Sequence, residues 1–137
     1  MFGTPPYTHK YCKNLSTDII SPLPLEVERV GISGRSIILN KLLSIIDEKK
    51  IDFVVVNGEN AADSGVGLKE EICKDFFNCG VDVITTGNHV WDQKETMVHI
   101  EKENRLLRPK NLFEPSPGKG FGIFLTKNKI RVGVLNL

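Results

Sequence analysis

The stretch IDFVVVNGENAA, residues 51–62, runs an apolar segment straight into a polar turn. Ile51 to Val56 is a short, nearly continuous β-branched run, the pattern of a strand buried on both faces. Asn57-Gly58 then breaks it and leaves Glu59 and Asn60 just beyond its end. Farther along, VDVITTGNHVWD (residues 81–92) does the same: a buried-strand run, a glycine at 87, then Asn88 and His89. Glu59 and Asn88 stand 29 residues apart, about one strand–helix–strand unit. The spacing predicts two adjacent parallel strands with both turns at their carboxyl ends, the edge where open α/β sheets bind ligands.

Working outward, the segments between and around these strands carry helical periodicity. SGRSIILNKLLSIIDEKK (33–50) places Ile38, Leu39, Leu42, Leu43, Ile45 and Ile46 at helical spacing, with Ser33 or Ser36 as the expected cap. GLKEEICKDFFNCG (67–80) sets Leu68, Ile72, Phe76 and Cys79 on one side, with Gly80 as its stop. DQKETMVHIEKE (92–103) reads as a third helix, with Asp92 and Glu95 as a capping box. FGIFLT (121–126) and IRVGVLNL (130–137) are strand candidates separated by a polar turn. Residues 1–28 hold four prolines in GTPPY and SPLPLE, show no amphipathic period, and are expected to be irregular. The alternation predicts an α/β fold, a parallel or mixed sheet with flanking helices, over residues 29–137.

Composition narrows the function classes. The chain has 137 residues, 40% of them hydrophobic and 26% charged, with a formal net charge of +1. That is ordinary for a soluble domain and gives no electrostatic reason to expect nucleic acid duplexes or membrane surfaces as partners. No apolar run approaches the roughly 18 residues needed to cross a bilayer, and the first residues do not read as a secretion signal. A cytoplasmic location is the expectation. Cys12, Cys73 and Cys79 fit neither a disulfide framework nor a metal knuckle and are expected to be free thiols.

The two turns offer a carboxylate, amide oxygens and an imidazole, the donor set accepted by divalent ions such as Mn and Fe(II). A carboxylate there could bridge two ions roughly 3.5–4 Å apart, an arrangement suited to displacement at phosphorus. Either turn alone also reads as an ordinary Asn-Gly loop, with His89 a packed histidine; the two together at one sheet edge favour a site. Trp91 reads as a core or pocket-wall residue and His99 as a surface or helix-face residue without a chemical role. PSPGKG (115–120) lacks the spacing and the following helix of a phosphate loop.

GENAA (58–62), GVDVITTGNHVWDQKE (80–95), LRPKN (107–111) and PGKG (117–120), in this order, resemble the YmdB-like bacterial phosphodiesterases, a branch of the calcineurin-like metallophosphoesterase superfamily. The resemblance covers residues 31–137. It implies the N-terminal half of a four-layer α/β sandwich. It also implies a dinuclear centre of two divalent ions, Mn or Fe with Mg as a further candidate, that activates hydroxide for attack on phosphodiesters such as 2',3'-cyclic nucleotides. By position, Glu59 would bridge the ions, Asn60 and Asn88 would be ligands, and His89 would stabilise or protonate the leaving oxygen. Glu28 stands where the family has a ligand aspartate and is carried over as a ligand. The family has further histidine ligands in its second half that this sequence does not contain, so the chain is expected to be truncated.

Three readings follow. The first is a metal-dependent phosphodiesterase acting on a small phosphodiester or cyclic nucleotide, alone, as a homo-oligomer, or with a complementing C-terminal chain. The second is an inactive remnant or a non-catalytic partner-binding fragment. The third, a flavodoxin-like nucleotide module, leaves the Glu-Asn and Asn-His pairs without a purpose.

Overall fold

The computed structural model describes residues 24–27 and 31–137. Glu28 and Cys12, and most of the segment expected to be irregular, lie outside the described residues. The expectation is corrected at Pro24–Val27, which form strand β1. β1 lies at the edge of the sheet and pairs in parallel with β2 (Phe53–Asn57), Pro24 opposite Phe53. Proline lacks the N–H that a central strand needs, but it is tolerated at the first position of an edge strand.

Helix α1 (Ile32–Lys49) connects β1 to β2, α2 (Glu70–Asn78) connects β2 to β3 (Val83–Thr85), and α3 (Lys94–Lys102) connects β3 to β4 (Leu106–Leu107). The four strands form one parallel sheet in the order β1-β2-β3-β4. The predicted α/β layering is therefore observed. Strands β5 (Phe121–Leu125) and β6 (Arg131–Leu135) make a separate antiparallel pair. No described helix is long and apolar enough to cross a membrane.

Period-2 alternation in β2 splits its side chains between two cores. Val54 and Val56 join Ile84 and Leu106 against Ile38, Leu42 and Ile46 of α1, Ile72 and Phe76 of α2 and Ile100 of α3. On the opposite face Phe53, Val83 and Leu107 meet Phe124, Val132 and Val134 of the hairpin. The Phe53 and Phe124 rings pack tilted, with centroids 6.2 Å apart. Of the four layers that the resemblance implies, the described residues build three: helices, parallel sheet and antiparallel pair. The hairpin turns Phe121, Ile123, Leu125 and Leu135 outward, all exposed.

The helix ends depart from the sequence reading. Gly31 takes the N-cap position of α1 without a side-chain cap, and Ser36 instead donates back to the Ile32 carbonyl at 3.5 Å. Gln93, not Asp92, precedes α3. Gly80 does end α2: its φ of +100° is left-handed, and a Cβ there would meet Ile46 at 2.8 Å. Cys73 and Cys79 are buried free thiols as expected, and burial pushes the Cys73 thiol up to about 12. Trp91 packs against the helix-side core. His99 is not a surface residue: its side chain is 12% exposed, and its buried Nε2 has no hydrogen-bond partner among the described residues.

Candidate active site at the carboxyl ends of β2 and β3

The parallel register sets Asn57 beside Thr85, so the turns that follow begin side by side. The Gly58 N–H donates to the Thr85 carbonyl at 2.9 Å and extends the ladder one step. The chain then turns because the Asn57 side-chain oxygen accepts the Glu59 N–H at 3.0 Å, a local Asx arrangement that Asn favours. This turn sends the Glu59 side chain across to the second loop, where Oε1 accepts the backbone N–H of His89 at 3.3 Å. Glycine at 87 makes room for it. A Cβ at Gly87 would sit 2.1 Å from Glu59 Oε1, so no side chain fits there while the carboxylate stays.

The structure thus brings Glu59 and the Asn88-His89 turn together. Asn60 is half-buried and uses its amide nitrogen to donate to the Gly65 carbonyl at 3.0 Å. Asn88 is exposed, and its side chain makes no hydrogen bond among the described residues. The His89 Nδ1 contacts Asp92 Oδ2 at 2.7 Å. Asp92, read from sequence as a helix cap, is engaged by the histidine instead.

Two further side chains hold the loops in place. Arg35, in the first turns of α1, donates to the Ala61 carbonyl at 2.7 Å and to Asp63 Oδ1 at 2.6 Å. That guanidinium holds the Asp63 carboxyl below its usual range. Gln93 donates to both Ser64 Oγ (3.0 Å) and the Val66 carbonyl (2.9 Å), tying the β3 loop to the β2 loop. Gly65 and Gly67 adopt positive φ, +81° and +77°, to close the β2 loop beneath Gln93. Sequence periodicity could not expose Arg35 or Gln93, because their partners lie 26 to 29 positions away.

The donors suit a divalent ion in kind, with carboxylate and amide oxygens and one imidazole. They suit it only partly in number. Among the described residues no three His, Cys, Asp or Glu side chains converge, and a hard ion takes about six ligands. The buried thiols offer no alternative shell.

Beyond β4, Arg108 is nearly fully buried and donates to the carbonyls of Pro117, Pro109 and Ser116 and to Glu114. It shapes the 108–120 loop beside the same sheet edge. Asn136 of the hairpin reaches the site's floor, donating from its side chain to the Thr86 (2.8 Å) and Leu107 (3.0 Å) carbonyls.

Residues 27–137 match the family described as YmdB-like protein. The chain belongs to the YmdB-like family. Its relatives include a 2',3'-cyclic-nucleotide 2'-phosphodiesterase of Bacillus subtilis (strain 168), 39% identical over 108 residues, which are 79% of this chain and 40% of that protein. Among solved structures, a novel phosphatase from Mycoplasma pneumoniae is similar with a TM-score of 0.66 and 32% identity, over 74% of this chain and 37% of the other. A hypothetical protein from Thermus thermophilus gives a TM-score of 0.66 and 33% identity, over 74% and 39%. The YmdB-like chain thus spans about two fifths of the length of these relatives.

Proposed function

We propose that this chain carries one part of a divalent-metal phosphodiesterase centre acting on small phosphodiesters of the 2',3'-cyclic nucleotide type. The observation that carries the reading is the Glu59 carboxylate seated on the Gly87–His89 backbone, which joins the two donor-bearing turns into one site. In this reading Glu59 would be the carboxylate that holds the two divalent ions, with Mn or Fe favoured over Mg, and Asn88 and Asn60 would contribute amide oxygens. Glu28 and further ligands come from outside the described residues. Two such ions, when bound, would supply positive charge and a water of lowered pKa.

The chain's own residues do the rest. Asn57 and Gly87 fix where the carboxylate lies. His89 gives a proton to the leaving oxygen as the P–O bond breaks, a role that general acids fill with gains of roughly 10²–10⁴. A second reading, a metal-poor fragment that only binds a partner, is favoured by the lack of a three-residue acidic or imidazole cluster among the described residues.

The test is hydrolysis of bis(p-nitrophenyl) phosphate by the purified chain with added Mn, beside Glu59→Gln and His89→Ala, with metal content measured in parallel. Mn-dependent turnover that Glu59→Gln abolishes supports the first reading. Turnover indifferent to both substitutions overturns the site assignment, and absence of turnover together with absence of bound metal favours the second reading.

A further inference from the structure

We infer that the 108–120 loop forms a second phosphate-binding subsite, in which the Glu114 carboxylate occupies the anion's place until a ligand's phosphate group displaces it. The loop frames an open cleft of about 370 Å³, whose lining includes Arg108, Lys110, Glu114, Ser116 and Lys119. Three cations meet one carboxylate there, a surplus of two positive charges in a chain whose net charge is only +1.

Backbone contacts build the cleft. The Arg108 N–H donates to the Lys119 carbonyl at 2.9 Å, and the Lys110 N–H donates to the Asn136 carbonyl at 2.8 Å. Gly120 approaches Lys110 so closely that a Cβ on it would lie 2.5 Å from the Lys110 Cα. The two ends of the loop are thus pressed together, and Lys110 and Lys119 line one cleft.

Arg108 is the reason an anion belongs here. Its side chain is only 3% exposed, and it donates to the carbonyls of Pro117, Pro109 and Ser116. Carbonyls satisfy its N–H groups but leave its charge uncompensated, and a buried charge without a counter-ion is costly. Among the described residues its one carboxylate partner is Glu114, at 2.8 Å. Lys110 Nζ (3.2 Å) and the Ser116 N–H (3.4 Å) reach the same carboxylate. An arginine, a lysine and a backbone N–H around one carboxylate are also the donors that hold a phosphate group, which brings more oxygens and more charge. The Glu114 side chain is 54% exposed, so it can swing into solvent and yield its place. PSPGKG takes part only through its Ser116 N–H; the charged donors Arg108 and Lys110 precede it.

The position of the subsite names its ligand, a step that rests on the proposed phosphodiesterase reading. Thr85 lies opposite Leu107 across β3 and β4, so the Gly87–His89 turn and Arg108 leave the sheet on neighbouring strands, about 4.8 Å apart. The Asn136 side chain bonds the Thr86 and Leu107 carbonyls and holds both loops on one floor. A substrate that spans the two carries a phosphate besides the one being hydrolysed, as a 5'-phosphorylated 2',3'-cyclic nucleotide does. Free phosphate offers the same chemistry.

The first measurement titrates inorganic phosphate into the ¹⁵N-labelled 137-residue chain at pH 7, with EDTA and fixed ionic strength, following the Arg108 Nε–H and Ser116 N–H by NMR. Thermal melts confirm that each variant folds. Glu114→Gln is expected to bind phosphate at least fivefold tighter than the parent. Glu71→Gln, the same charge change at an exposed position of α2, is expected to bind it like the parent. Lys119, whose Nζ donates to Asn104 Oδ1, makes no hydrogen bond to Glu114 among the described residues, so Lys119→Ala decides the matter even if Glu114→Gln does not fold. It is expected to weaken phosphate at least threefold. Phosphate affinity indifferent to Glu114 and Lys119, or shifts confined to other loops, overturns the subsite. The second measurement compares kcat/KM for 2',3'-cyclic AMP and its 5'-phosphorylated form with Mn. The 5'-phosphate is expected to raise kcat/KM at least fivefold, and Lys119→Ala to bring that ratio below twofold. Equal values in the parent overturn the substrate assignment and give the subsite to free phosphate. Inactivity on both overturns the phosphodiesterase reading and leaves the titration to decide the subsite.

Discussion

The carboxylate of Glu59 occupies the space that any side chain at position 87 would need: a Cβ on Gly87 would lie 2.1 Å from Oε1 and 2.3 Å from Oε2. The two residues come from different loops, so this close approach defines how the loops meet. The atoms in conflict are the far end of a flexible side chain. Gly87→Ala should therefore be relieved by swinging Glu59 away, at a cost of about 1 kcal/mol for the lost bond to the His89 N–H. Urea unfolding should show that small loss, while Mn binding falls as far as in Glu59→Gln. A Gly87→Ala protein that binds Mn like the parent would remove Glu59 from the site.

Arg35 makes a different kind of contribution, since it holds the loop's backbone. Its bond to the Ala61 carbonyl is charge-assisted, and Ala61 is fully buried. Arg35→Ala should cost about 1.5–3 kcal/mol and speed hydrogen exchange at Gly65, whose N–H closes the loop on Ala62. Asp63, 64% exposed at its side chain, is a poor contributor to stability, so Asp63→Ala should leave it nearly unchanged. Equal losses in both variants would show that the ion pair, not the carbonyl contact, holds the loop.

Acid should act on the 108–120 loop. Arg108, then Lys110, beside Glu114 hold its carboxyl at about 2, against an ordinary value of 4.5. A carboxyl with a lowered folded-state pKa adds stability that is complete above 4.5 and is lost as the pH falls towards 2. Thermal melts across that window should show a slope that Glu114→Gln reduces. An unchanged slope in the variant would mean that Glu114 is not ionised in its ion pair with Arg108.

How much of this is legible in the sequence depends on how far each cause acts along the chain. β2, β3 and the three helices follow from local periodicity, and so does the meeting of Glu59 with the Asn88-His89 turn. β1 escapes a sequence reading because its two nearby prolines speak against strand, whereas its edge position removes their penalty. β4 has only two residues and carries no period. Asp92 reads wrongly because a capping-box spacing looks the same whether the aspartate turns to the helix or to a histidine three residues back. His99 reads as a surface residue because its own helix does not reveal that α2 lies against α3. The outward-facing Phe121, Ile123, Leu125 and Leu135 alternate as in any half-buried strand, and the alternation does not say which side is covered.

Asn136 bears on the order in which the site becomes ready. Its side chain donates to the carbonyl of Thr86, 50 positions earlier, directly beneath the Gly87–His89 turn. While the ribosome is still adding residues 87 to 135, that carbonyl must make do with solvent. The Gly87–His89 turn is therefore translated early and seated late, and any ligand captured during synthesis would meet a floor that is still loose.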